Sequence, residues 1–402
     1  MAQRVLVVAF AFACEPGRGS EPGVGFAFAR ALAELTLRHE YDVVLLTRPH
    51  RAARVEEELA REFPGHRVEV QRVSIPLALV RVTKRERVRL AYLYWQALAV
   101  RRARGILARA EQPAVVHHIT FASDVMSTWE GALPREVPRI FGPAGSSQEL
   151  NRQLWSRRKV FVNDFLRKGL ARRNLAGVDT LICQNEQVAA EWEGIIPKTV
   201  VEPNILLPEK DVARAHGGSR DPRLLACVGL LTERKQPVIA LKALAKLPPD
   251  YSLVFVGDGE LREELRQLAA SLGVEERVEF AGNVTHQQAL ERVGGAGFLL
   301  HPSRQEGAGW VIGEAQTMGA WPVVIAGSGG DTTVREAGIG SVVPAGSQDS
   351  IASAMAAAVQ DNVGRPVPAT ARWSAERVPE LLHVWYSEAL SGTRREPAVT
   401  PS

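Results

Sequence analysis

Hydrophobic residues fill most of positions 4–12 (RVLVVAFAF), the pattern of a strand buried on both faces of a parallel sheet. The same short apolar runs return at 41–47, 67–73, 114–120, 139–142 and 178–184. Between them lie longer stretches with helical spacing, at 26–38 and 84–110, and a basic one before 178. Strands separated by helices need crossover connections, so this half predicts parallel βαβ units wound into one sheet. A proline-containing connector at 202–209 interrupts the rhythm, which then restarts. Strands are expected at 224–229, 252–257, 278–282, 296–302, 322–325 and 340–343, with helices at 237–247, 260–272, 287–293 and 313–318. The expected fold is therefore α/β, with two doubly wound, Rossmann-like domains over 1–205 and 206–374. An amphipathic helix in 375–402 returns to the first domain and is followed by a polar tail expected to be disordered. Ligands of such sheets bind outside the carboxyl ends of the strands, here in the cleft between the domains.

A length of 402 residues suits two such cores, and 46% hydrophobic with 23% charged residues is the composition of a globular protein. Cys14, Cys183 and Cys227 are widely spaced, which argues against a disulfide framework or a cysteine zinc site and favours a reducing cytoplasm. The apolar start is too short for a signal peptide, and no run of about 18 apolar residues predicts a membrane span. The net charge of +4 divides unevenly: residues 1–205 carry +8 and the remainder −4. A basic first half suits a phosphate-bearing or lipid-linked acceptor, or an anionic membrane surface; a solvated face fits as well. The Arg-rich stretch 84–109, with Tyr92, Tyr94 and Trp95, fits either a peripheral membrane patch or an ordinary surface helix. No nucleic-acid partner is expected.

The segment with the most chemistry is 301–324, HPSRQEGAGWVIGEAQTMGAWPVV. Glu306 and Glu314 stand eight residues apart, separated by the small-residue turn Gly307–Ala308–Gly309 that opens a helix. Backbone N–H groups at such a turn suit a phosphate or a sugar hydroxyl. Glu306 is placed to accept from sugar hydroxyls, and Glu314, about two turns on, from a diol such as ribose. A solvent-facing glutamate pair beside an ordinary capped helix has the same spacing.

This segment resembles the E-x7-E signature of family-four retaining glycosyltransferases with the GT-B fold (glycosyl transferases group 1). Further segments resemble the family in the same order: EPGVGFAFARALAEL, VEPNI, LLACVGLLTERKQ, and VGDGELREELRQLAASLGVEERVEFAGNV. The resemblance implies transfer of a hexose or N-acetylhexosamine from a nucleoside-diphosphate sugar, UDP-linked before GDP-linked, with retention at the anomeric carbon. It implies no metal and no cofactor beyond the donor. Glu306 is thereby expected to contact the donor sugar, the amides of Gly307, Ala308 and Gly309 its phosphate and sugar, and Glu314 its ribose. Lys235 is expected to neutralise the diphosphate; the family's companion Arg falls on Leu230, with Arg234 as a substitute. Gly25, Gly257 and Asn283 are expected around the donor, and His117 or His118 to project from a strand end onto the donor sugar. Thr333 stands where the family has a Glu, a departure expected to touch donor choice. The remaining alternatives are a nucleotide-sugar epimerase of the same fold and a dinucleotide-dependent oxidoreductase. The second strand ends Leu46–Thr47–Arg48 without the acidic residue the oxidoreductase needs.

Overall fold

A computed structural model describes residues 4–16, 20–49, 52–75, 88–122, 129–145, 169, 175, 177–215, 219–303 and 306–392. The first sheet is entirely parallel, in the order β3-β2-β1-β4-β5-β6-β7. Its strands are β1 (Val5–Ala11), β2 (Tyr41–Thr47), β3 (Val68–Arg72), β4 (Ala114–His118), β5 (Arg139–Ala144), β6 (Thr180–Cys183) and β7 (Lys198–Val201). The helices are α1 (Ser20–Arg38), α2 (Ala52–Glu62), α3 (Val88–Leu107) and α4 (Glu186–Trp192). Val7 at the centre of β1 faces Val43 of β2 and Val115 of β4, and all three are buried, as the unbroken apolar runs require.

The second sheet is also parallel, ordered β10-β9-β8-β11-β12-β13. Its strands are β8 (Asp221–Val228), β9 (Ser252–Val256), β10 (Val278–Gly282), β11 (Ala296–His301), β12 (Trp321–Ile325) and β13 (Ser341–Val343). Around it lie α5 (Glu209–Ala215), α6 (Pro237–Ala245), α7 (Arg262–Ser271), α8 (His286–Gly295), α9 (Trp310–Met318), α10 (Gly329–Ala337) and α11 (Gln348–Asn362). Helix α10 opens with GGDTT, a poor helix former by composition, and forms because Ser328 caps the Asp331 amide.

Two chain crossings join the domains. Leu207, in the connector, pairs with the returning segment through Leu207 N–H to Trp373 O (2.8 Å) and Ala375 N–H to Leu207 O (3.0 Å). Trp373 is fully buried with Ile205, Leu207 and Ala308, and its Nε1–H donates to Gln316 Oε1 at 2.5 Å. Beside it, Arg372 forks onto both carboxylate oxygens of Glu202 (2.9 and 3.0 Å). After this crossing the last helix, α12 (Val378–Gly392), packs on α1 of the first domain. The expected tail, 393–402, lies outside the described residues.

Helix α3 corrects the interfacial reading of its aromatics. Tyr92 and Trp95 are fully buried and pack edge-on against Phe12, while Tyr94 is exposed. The rings complete the core beneath β1. Among the described residues no helix is long and apolar enough to cross a membrane.

Candidate active site between the domains

The loop after β8 is seated first. Gly257, just past β9, has φ +132°, and a Cβ there would lie 2.1 Å from Gly229 O. Only glycine lets the two strand-end loops touch, so Gly257 shapes the loop that ends in Lys235. Lys235 closes a single 3-10 turn, Glu233–Lys235, and its Nζ bonds Glu306 Oε1. Both side chains are largely buried. Burial pushes the Glu306 carboxyl up, but His301 and Lys235 outweigh this and hold it well below the usual carboxylate range. His301 Nε2 lies 3.4 Å from Glu306 Oε1.

The turn that follows is held from both domains. Asn185, the N-cap of α4 in the first domain, donates Nδ2–H to Gly307 O at 2.8 Å. Thr333 Oγ1 donates to Ala308 O, and Thr333 is fully buried. Its role is therefore to brace the turn from α10 rather than to touch a ligand. Gly309 takes φ +68° to start α9.

One turn apart on α9, Trp310 and Glu314 line a cavity of about 580 Å³ between the domains. Its other walls are Phe26 and Arg30 of α1, Glu58 and Glu62 of α2, and Lys210, Asp211 and His286. Lys210 reaches across to Glu62 (2.8 Å), which also pairs with Arg30 (2.6 Å). Burial pushes the Glu62 carboxyl up, yet the Lys210 and Arg30 bonds prevail and hold it low. Glu314 accepts from His286 Nε2 at 2.8 Å.

The remaining expected residues divide. Asn283 is exposed at the end of β10, and the Arg234 carbonyl accepts from Ser303 Oγ at 3.4 Å. Leu230, where the family has Arg, is 57% exposed beside this loop. Gly25 serves packing: a Cβ would lie 1.9 Å from Ala13 O, so the glycine lets α1 approach the end of β1. His117 and His118 do not project into the cleft; both are fully buried in the first domain. His117 contacts Tyr386 Oη (2.8 Å) and Gly142 O (3.0 Å), and burial pushes its pKa down to about 3. His118 Nε2 contacts Tyr92 Oη (2.9 Å) and Thr120 O (3.0 Å). A strand-end position suggested an open histidine, but α12 and α3 supply the partners that cover them.

Sequence reasoning missed His286, Asn185 and the Lys210–Glu62 bridge. Only His286 had a local signal, since it lies within the Thr285–Gln288 capping box at the start of α8.

Two parallel, doubly wound sheets facing one another over such a cavity define the GT-B fold. Solved structures of that class align along nearly the whole chain. Sucrose-phosphate synthase from Thermosynechococcus elongatus matches at 20% identity and TM-score 0.59, covering 97% of each chain. Anabaena HepE, solved with UDP-glucose, matches at 16% identity and TM-score 0.55, covering 96% of this chain and 99% of that one. Residues 209–376, which span the second domain, match the family model of glycosyl transferases group 1. Among similar proteins, D-inositol 3-phosphate glycosyltransferase 1 of Catenulispora acidiphila is 31% identical over 56% of this chain and 60% of its own length. A GDP-mannose-dependent monoacylated alpha-(1-6)-phosphatidylinositol monomannoside mannosyltransferase of Corynebacterium glutamicum is 28% identical over 43% of this chain and 50% of its own. The matches thus span about half to 60% of these relatives.

Proposed function

We propose that the protein is a retaining glycosyltransferase that moves a hexose or N-acetylhexosamine from a nucleoside-diphosphate sugar to an acceptor hydroxyl. The observation that carries this reading is the Lys235–Glu306 contact in the loops after β8 and β11, with Glu314 eight residues further on lining the cavity between the domains, all within the segment of the family match. In this reading Glu306 orients the donor sugar and Glu314 holds the ribose. Lys235 and the amides of the Gly307–Gly309 turn stabilise charge on the departing diphosphate, without a metal or further cofactor. The acceptor oxygen bonds the anomeric carbon on the face the diphosphate leaves, and the leaving phosphate oxygen takes the acceptor proton. Closure of the cleft, braced by the Asn185–Gly307 and Lys210–Glu62 contacts, excludes the water that would hydrolyse the donor. The acceptor belongs to the secondary-metabolite or cell-envelope glycans, made at the cytoplasmic side.

The deciding experiment is a thermal-shift screen against UDP, GDP, ADP, dTDP and NAD(P), with and without Mg²⁺. One nucleoside diphosphate is expected to stabilise the protein by about 2.7 kcal/mol at a hundredfold excess over Kd, equally with EDTA. Stabilisation by NAD(P) alone would overturn the proposal. Glu314→Ala is expected to weaken binding of that diphosphate about tenfold, through loss of a charged hydrogen bond of about 1.5 kcal/mol or more. Calorimetry with the purified variant checks it.

A further inference from the structure

Glu314 is nearly buried, with its side chain 8% exposed, yet it lines the cavity between the domains. One carboxylate oxygen, Oε1, is occupied by His286 Nε2; among the described residues Oε2 accepts no hydrogen bond. His286 is the first residue of α8, and the reciprocal Thr285–Gln288 capping box fixes the backbone that carries it. A cation at a helix N-terminus opposes the helix dipole, so this placement does nothing for α8 itself. What it does is set the plane of a carboxylate that would otherwise rotate at the cavity wall.

We propose that His286 is a positioning residue for nucleoside recognition: it holds Oε1 of Glu314, so that Oε2 is presented in one orientation to a ribose hydroxyl. The assignment rests on the reading of Glu314 as the ribose ligand. It goes further in naming the group that makes the carboxylate selective for a ribonucleoside over its 2′-deoxy analogue.

The surroundings of His286 give the arrangement a pH dependence. Its bond to Glu314 raises its pKa against a smaller opposing effect of burial, and the charges of Glu314 and Asp211 act in the same direction. Lys210 stands beside Asp211 on α5, and across the cavity lie Glu15, Arg30 of α1, and Arg54, Glu58 and Glu62 of α2. Of these, Glu62 is neutralised by Arg30 and Lys210. Below its raised pKa, His286 cancels the charge of Glu314. As pH rises through that value, the wall becomes one charge more negative and repels an anionic diphosphate. Affinity is therefore expected to fall with rising pH, by up to about tenfold.

The test is calorimetric titration of the full chain with UDP, GDP and ADP, each beside its 2′-deoxy counterpart, at pH 6 and pH 9. The proteins are wild type, His286→Gln, His286→Ala and Glu314→Ala, with melting curves to show that each is folded. His286 is 56% exposed, so neither substitution opens a core cavity. Wild type is expected to prefer the ribonucleotide about tenfold and Glu314→Ala to lose the preference. His286→Ala should lose most of it. His286→Gln, which can still donate an N–H but never a charge, should keep the preference and lose the pH dependence. If both His286 variants keep the wild-type preference and pH dependence while Glu314→Ala loses the preference, the inference is overturned and the ribose reading of Glu314 stands. If wild type shows no preference and Glu314→Ala binds as wild type does, that reading fails and the inference with it.

Discussion

Lys235→Ala is expected to lower kcat by about two to three orders of magnitude, the effect of removing one preorganised group that stabilises transition-state charge. Its ammonium is held against Glu306 by a loop that depends on the close approach of Gly257 to Gly229. In the proposed mechanism Leu230, exposed beside this loop, contributes no charge, which leaves more of the diphosphate charge to Lys235. Lys235→Arg should recover only part of the rate, because a planar fork does not reproduce a compact charge. A pH signature accompanies the loss. The folded pKa of Glu306 lies below its ordinary value of 4.5, so its charge contributes stability above that pH, lost as pH falls through the folded pKa. Without Lys235 this margin shrinks, and the acid limb of the melting profile should flatten. Steady-state kinetics with the cognate donor, and melting curves from pH 3 to 7, read both effects. Wild-type kcat and KM in Lys235→Ala would remove the residue from the mechanism.

Trp373→Ala is expected to cost about 3–5 kcal/mol in unfolding free energy, the range for emptying an aromatic site in a close-packed core. The indole is fully buried where the two chain crossings meet, and one edge lies close enough to Gly313 that a Cβ there would sit 3.1 Å from it. Its removal also strips Gln316 Oε1 of its indole donor inside the core. Trp373→Phe keeps most of the volume and loses only the N–H, so its cost should be about 1–3 kcal/mol. Denaturant titration of both variants gives the comparison. Equal costs would mean that the hydrogen bond, rather than the packing, dominates at the crossing.

Apart from the short edge strand β7 (Lys198–Val201), both parallel sheets were legible in the chain because their signal is local. A strand buried on both faces must be apolar throughout, whichever partners it finds, and VLVVAFA, YDVVLLT and SLVFV satisfy that requirement by themselves. Helix α9 and the turn before it were legible for the same reason, since two glycines around Ala308 and a carboxylate on either side lie within nine residues. Helices α10 and α11 were harder: GGDTT reads as loop, and a run such as ASAMAAA has helix-forming residues but almost no polar periodicity.

The sequence by itself determined two Rossmann-like sheets and their order along the chain, and it put Lys235 and Glu306 in strand-end loops and Glu314 on the helix that follows. Tertiary structure alone decided which polar side chains remained for chemistry. His117 and His118 stand at a strand end, yet the first contacts Tyr386, 269 residues away on the returning helix, and the second contacts Tyr92 of α3. Thr333 was spent on the Ala308 carbonyl, 25 residues from it, and Asn185 reached Gly307 across the domain boundary. Periodicity reports only which face of an element is apolar. Whether a buried polar group is satisfied depends on partners brought from distant segments, and that is settled when the sheets, the crossings and the last helix come together.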